Sequence, residues 1–181
     1  TGRPVSRSSS IDIYTQSVFL GVSDDGYYFY PLNQTIQFPL IALDKNEKVL
    51  ASTNARVEVI KHEYRTVLKK SGNYFRYESQ QEDKQISAGT INVGGENTRY
   101  DFTPRSPGHY EVRVSIPGAN TYVSRHFYSF GAWGGDNNSF EVNNEGHVDI
   151  TVEKPSYYTG ETVTALFKTP FSGRMLVTME T

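Results

Sequence analysis

The chain has no cysteine, so neither a disulfide framework nor a thiolate metal site can be built from it. No apolar run approaches the ~20 residues of a membrane-spanning helix, and direct membrane insertion of this stretch is not expected. No block of like charge exists either. The 18 Lys and Arg and 20 Asp and Glu are interspersed and leave a net charge of −2. Nucleic acid is thereby disfavoured as a partner, because neutralising phosphates needs clustered cations.

Catalytic signatures are missing as well. There is no Gly-x-Ser-x-Gly elbow. Gly131, Gly134 and Gly135 precede no helix that could offer amides to a phosphate. Glu82-Asp83 sits in a polar stretch with nothing apolar to tune a carboxylate. His62, His109, His126 and His147 show no zinc-ligand spacing. Asp24-Asp25-Gly26 and Asp136-Asn137-Asn138 lack the spacing of a calcium loop and read as Asx turns. No metal, no cofactor and no enzymatic activity are expected.

What the chain does have is aromatic residues, with 13 Tyr and 10 Phe. Large rings bury much area each, which suits a sandwich with a thin core. Residues 1–10 are polar and without period, and read as a linker or loose start. Ile11 and Ile13 open the ordered part. Tyr27-Tyr28-Phe29-Tyr30 follows a turn signal, and period two should send alternate rings into the core. Ile36, Phe38 and Leu40 share one face of the next strand, and Pro39 marks it as an edge or bulged strand. After the polar turn Asp44-Lys45-Asn46-Glu47 comes a strand over 54–63, with Val57 and Val59 facing in. The most basic segment is 64–71, too short to be a binding patch. Tyr74, Phe75 and Tyr77 mark another strand, 79–84 reads as a polar loop, and Ile86, Ile91 and Val93 make a weaker strand.

Tyr100 and Phe102 share a face, and Pro107-Gly108 gives a tight turn. Tyr110, Val112, Val114 and Ile116 then line a core face. A Tyr just after a corner and opening a strand is similar to the tyrosine corner of immunoglobulin-like sandwiches, where its hydroxyl ties down the corner backbone. The last strand of this unit lies in 121–130. Short strands with turn signals between them predict an all-β sandwich over 11–130. The Gly- and Asn-rich stretch 131–146 is the expected connector, with Trp133 packing at the junction.

Residues 147–181 hold three alternating runs: Val148/Ile150/Val152, Val163/Ala165/Phe167 and Met175/Val177/Met179. Tyr157, Gly160 and Glu161 form one turn signal between them, and Pro170, Phe171 and Gly173 the other. These two turns at this spacing resemble macroglobulin-like domains of the bacterial alpha-2-macroglobulin family, and the Pro-Gly-x-Tyr-x-Val run from Pro107 does too. The resemblance implies one immunoglobulin-like antiparallel β-sandwich followed by the first strands of a second, with Thr181 falling inside that second domain. It implies an excised piece of an exported protein, periplasmic or in the cell envelope, whose whole traps proteases. The family's thioester, made from a Cys and a Gln, cannot lie here. The expected partners are neighbouring macroglobulin-like domains of the same parent, proteases through the parent, and a second copy of this chain through the open strands of 148–181. The alternative is a sugar- or protein-binding sandwich of an adhesin or polysaccharide-utilisation protein. It would rest on exposed rings at Tyr27 to Tyr30 and Trp133; rings buried between sheets would argue against it.

Overall fold

The computed structural model describes residues 7–11, 13, 16–23, 25–95, 97–131, 148–168 and 174–178. The strands among them are β1 (Val18–Val22), β2 (Phe29–Pro31), β3 (Ile36–Asp44), β4 (Thr53–Ser71), β5 (Tyr74–Val93), β6 (Thr98–Phe102), β7 (Gly108–Ser115), β8 (Tyr122–Phe130), β9 (Asp149–Val152) and β10 (Ala165–Lys168). No helix among the described residues is long and apolar enough to cross a membrane.

Period-two patterning makes the core. Ile36, Phe38, Leu40 and Ala42 of β3 are buried, as are Ala55, Val57 and Val59 of β4 and Tyr110, Val112 and Val114 of β7. Those faces close between a three-stranded sheet in the order β1-β3-β6 and a five-stranded sheet in the order β2-β8-β7-β4-β5. Rings span the interface: Phe38 lies 5.6 Å from Phe127, and Phe102 lies 5.8 Å from Tyr110. The fold is thus an all-β, immunoglobulin-like sandwich. Its ladders are antiparallel, apart from the short β2, which runs parallel to β8.

Several local readings need correction. β1 opens at Val18, while Ile11 and Ile13 are exposed. The aromatic quartet alternates only within β2: Phe29 and Tyr30 are buried on opposite faces, and Tyr27 and Tyr28, before the strand, are exposed. The reason is that β2 is covered on both faces. Tyr30 meets Phe127 edge-on at 5.8 Å on the inner face, and Phe29 meets Tyr128 at 5.6 Å on the outer one. These two rings form no open platform, which removes half of the quartet on which the sugar-binding alternative would rest.

Pro39 sits in the central strand of its sheet, not at an edge. The β1 ladder ends where Val22 faces Leu40. One step on, the Ser23 N–H donates to the Pro39 carbonyl at 2.9 Å. The Ser23 carbonyl would need the N–H that proline lacks. It accepts instead from Arg125 Nη1 at 3.1 Å.

The polar stretch 79–84 is strand rather than loop. β4 and β5 pair from Thr53 opposite Val93 to Ser71 opposite Tyr74, while β7 covers β4 only from Arg56 to His62. Past His62 the hairpin runs on as a two-stranded ribbon wet on both faces, so polar residues suit it. Diagonal ion pairs support it, Lys84 with Glu63 and Arg65 with Glu82.

β9 and β10 form a separate antiparallel pair, with Ile150 opposite Phe167 and Val152 opposite Ala165. Bonds between described residues tie it to the sandwich: the Tyr28 N–H donates to the Glu153 carbonyl at 3.2 Å, and Lys168 Nζ donates to the Tyr128 hydroxyl at 2.9 Å. The third run is not a strand over 174–178, where Leu176 is 89% exposed. Among the described residues, no strand pairs with this run.

Candidate functional site

The outer face of the five-stranded sheet gathers the three histidines among the described residues. The register sets His62 of β4 opposite His109 of β7, and Glu111 of β7 opposite His126 of β8. His109 and Glu111 are two residues apart and so share a face. The three imidazoles each offer a ring nitrogen, and these nitrogens lie within 4.8 Å of one another. Separation in sequence hid this cluster. Its signal was the His-x-Glu of β7, legible only once β4 and β8 were known to flank that strand.

The surroundings fix the rings. His62 is only 3% exposed, and its Nδ1 lies 2.7 Å from Asp83 Oδ1. The Gln81 amide nitrogen also lies 2.9 Å from Nδ1, but a carboxylate oxygen only accepts, so the shorter Asp83 contact sets the tautomer of the neutral ring as Nδ1–H, with the lone pair on Nε2. The Gln81 amide donates to the same Asp83 oxygen at 2.6 Å. His62 Nε2 lies 3.3 Å from Glu111 Oε2 but makes no hydrogen bond. His109 Nε2 is 3.1 Å from His126 Nδ1, and His109 Nδ1 is 3.3 Å from the Tyr64 hydroxyl. Burial pushes His109 down to about 3, with the nearby His62, His126 and Lys168 charges adding to it. Burial also lowers His126, against the pull of Glu111. Both rings are therefore neutral near pH 7, the form in which imidazole binds metals. Burial raises the Glu111 carboxyl, but hydrogen bonds from Arg113 and Ser124 and the charges of His126 and Arg113 outweigh it and hold it below its ordinary range. Arg113 Nη2 donates to Glu111 Oε2 at 2.7 Å.

A second constellation lies inside the sandwich. Arg125 faces Val112 in the ladder, at a position whose neighbours on the same face, Val123 and Phe127, are apolar. It is 6% exposed, with its guanidinium 5.6 Å from the centre of the Phe38 ring. Its Nη2 pairs with Asp25 and donates to the Tyr27 carbonyl at 2.9 Å and the Tyr30 hydroxyl at 2.8 Å. Tyr30 in turn donates to Asp25 Oδ2 at 2.8 Å. Asp25 Oδ1 also accepts from the Tyr27 N–H at 3.0 Å, an Asx turn. A buried charge held by this many acceptors reads as a structural knot.

Tyr110 is buried beside the turn that precedes β7, and its hydroxyl donates to the Ser106 carbonyl at 2.7 Å. Pro107 is half-buried in that turn. Gly108 adopts φ 146, and a Cβ there would sit 2.7 Å from Lys61 Cε. Lys61 passes Gly108 to donate to Ser106 Oγ at 2.9 Å. In the turn after β9, Gly160 takes φ 94 while the Glu161 N–H donates to the Tyr158 carbonyl at 3.1 Å. That is the left-handed third position of a type II turn. The Glu161 carboxylate accepts from the Tyr158 N–H at 2.9 Å and from Lys154 Nζ at 2.7 Å. The Tyr157 hydroxyl accepts from the Lys154 N–H at 3.2 Å. The Tyr-x-x-Gly-Glu run is thus one hydrogen-bonded corner. Trp133, Pro170, Phe171 and Gly173 lie outside the described residues.

Two packed sheets, a tyrosine tied to its own corner and a second strand pair behind them define an immunoglobulin-like structural module. The chain belongs to the bacterial macroglobulin domain 6 family, whose model matches residues 22–131. The alpha-2-macroglobulin of Rickettsia conorii is 24% identical over 187 aligned residues, which take in 100% of this chain and 10% of that protein. The chain therefore spans about a tenth of the length of this curated relative. The native conformation of E. coli alpha-2-macroglobulin shares the fold, with a TM-score of 0.57 at 14% identity over 87% of this chain and 11% of that one. A mutant of Salmonella alpha-2-macroglobulin shares it too, with a TM-score of 0.54 at 14% identity over 88% and 11%.

Proposed function

We propose that the chain is a non-catalytic scaffold domain of an exported alpha-2-macroglobulin-like protein, periplasmic or in the cell envelope, and that the parent traps proteases. The match of residues 22–131 to a macroglobulin domain family carries this reading. The inner constellations agree with it, since Arg125, Asp25 and Tyr110 spend their hydrogen bonds on the chain's own backbone and on one another. Neighbouring domains of the same parent are the expected partners of β9 and β10, where Ile150 is largely uncovered and Val152 partly so. In isolation, a second copy of the chain is the expected cover for the same residues.

The test compares the chain with a full-length protein that contains it. A trap excludes substrates by size, so the full-length protein should suppress a protease's cleavage of a large protein while sparing its cleavage of a short peptide. The isolated chain should neither suppress protease activity nor hydrolyse esters, peptides or glycosides. Inhibition or turnover by the chain alone, or a full-length protein without size-dependent suppression, would overturn the reading.

A further inference from the structure

We propose that His62, His109, His126 and Glu111 form a binding site for a borderline divalent transition-metal ion, with Zn²⁺ as the best-matched occupant. The donors come from three adjacent strands, β4, β7 and β8, so a bound ion would pin the middle of the five-stranded sheet from outside. This inference is independent of protease trapping.

The geometry fits tetrahedral zinc. Metal–nitrogen bonds of about 2.0–2.1 Å put neighbouring ligands about 3.3 Å apart at the corners of a tetrahedron. Two such edges are already present. His109 Nε2 and His126 Nδ1 are 3.1 Å apart, and His62 Nε2 and Glu111 Oε2 are 3.3 Å apart. The three imidazole nitrogens lie within 4.8 Å of one another, so an ion would have to draw the widest pair in by up to about 1.5 Å to reach that edge, through side-chain rotation. His126 is half-exposed and gives the ion its way in.

His62 supplies the second observation. It is almost wholly buried, yet its Nε2 has no hydrogen-bond partner. A buried acceptor left unpaired costs free energy, and this one points at a carboxylate oxygen it cannot bond, because in the Nδ1–H tautomer neither atom carries a hydrogen. A cation between them satisfies both. The outer hydrogen bonds match those of a zinc site as well. Asp83 holds the far nitrogen of His62, giving the carboxylate–histidine arrangement that orients metal-bound imidazoles. The ligating carboxylate is held by Arg113. Three imidazoles and one carboxylate, without thiolate, favour zinc or its neighbours in the series over calcium or magnesium, which prefer oxygen.

The experiment titrates the full chain with Zn²⁺ alone by calorimetry, with Mg²⁺ as the comparison. One equivalent of Zn²⁺ should bind and Mg²⁺ should not. Co²⁺ in the same site should give the intense visible absorption of tetrahedral coordination. His126→Ala, at a half-exposed position, should weaken Zn²⁺ affinity about 100-fold, and Glu111→Gln about tenfold. Asp83→Asn, a change at a positioning residue, should cost about 10–100-fold. Lys45→Ala, in the exposed turn after β3 and outside the cluster, should leave binding unchanged. Circular dichroism confirms that each variant is folded. No binding at ~100 µM Zn²⁺, or equal affinity in the His126→Ala and Lys45→Ala variants, would overturn the site.

Discussion

Val112 and Ile150 hold similar places. Each stands inside a strand, opposite a residue of an antiparallel partner. Yet Val112 is fully buried and Ile150 is 60% exposed. The difference lies in what covers them. Val112 looks across at the second sheet, and its neighbours Tyr110 and Val114 are sealed with it. Ile150 belongs to a ribbon of two strands, tied to the sandwich by the Tyr28–Glu153 and Lys168–Tyr128 bonds. A two-stranded hairpin is marginal on its own. Alternation therefore sets which face is apolar, and only a covering layer turns that face into stability. Burying an aliphatic side chain fully is worth about 1.5–3 kcal/mol, most of which Ile150 forgoes.

The sharpest way to break this comparison is to truncate one ring and one aliphatic. Phe127 is fully buried and touches rings from both sheets, Phe38 at 5.6 Å and Tyr110 at 5.3 Å. Phe127→Ala should cost about 3–5 kcal/mol through lost burial and the cavity it leaves. Ile150→Ala should change stability by less than about 0.5 kcal/mol. Urea denaturation measures both. A cost at Ile150 close to that at Phe127 would mean that β9 and β10 are covered in solution, and the two regions would no longer differ.

The Arg125 knot comes next. Asp25→Asn keeps the shape but removes the charge facing a buried guanidinium, and should cost about 1–3 kcal/mol. Its pH dependence follows from the carboxyl itself. Burial raises Asp25, but hydrogen bonds from the Tyr27 N–H, the Tyr30 hydroxyl and Arg125 outweigh it, so its pKa lies below the ordinary 3.8. A carboxyl with a lowered folded pKa stabilises fully above its unfolded value and loses that contribution as pH falls through the folded one. The gap between wild type and Asp25→Asn should thus be constant from neutrality to about pH 4 and shrink below it. A gap that stays constant down to pH 2 would show that the charge plays no part.

These two constellations also show how far the sequence could be read. The alternation at Ile36–Leu40 and Tyr110–Val114 predicts a sandwich, and both runs line its core. The turn after β9 was visible as a turn because Gly160 and Glu161 act locally. Arg125 was not legible as buried. Its partners Ser23, Asp25, Tyr27 and Tyr30 lie about a hundred positions away, and nothing local marks an arginine as lying on the inner face. His62, His109 and His126 were hidden for the same reason, since strand order brings them together. The long ribbon was misread because 79–84 has no apolar face, and polar alternation resembles a loop.

Two tyrosines sharpen the comparison at smaller scale. Each hydroxyl ties a corner, Tyr110 to the Ser106 carbonyl and Tyr157 to the Lys154 N–H. Tyr110 is buried and Tyr157 half-buried. Tyr110→Phe should cost about 0.5–1.5 kcal/mol, the net worth of a typical hydrogen bond. Tyr157→Phe should cost only a few tenths, because water replaces the lost partner. Thermal unfolding of both variants gives the order, and a reversed order would place the tighter corner outside the sandwich.

The smallest expected effect lies on the distal ribbon of β4 and β5, where Arg65 and Glu82 pair at 3.2 Å with side chains 70% and 52% exposed. The Arg125–Asp25 pair has the same chemistry, with its guanidinium buried. In water the attraction between two charges is weak, ordering two long side chains costs entropy, and salt screens what remains. A double-mutant cycle of Arg65→Ala and Glu82→Ala should therefore return about 0.2–1 kcal/mol at low salt and less in 0.5 M NaCl. The same cycle on Arg125 and Asp25 should return more and respond less to salt, since a partly buried pair is poorly screened. If the ribbon pair proved as strong as the knot and equally indifferent to salt, the ribbon would be shielded from water despite its exposure. Burial would then not be what separates the sandwich from the strands that extend beyond it.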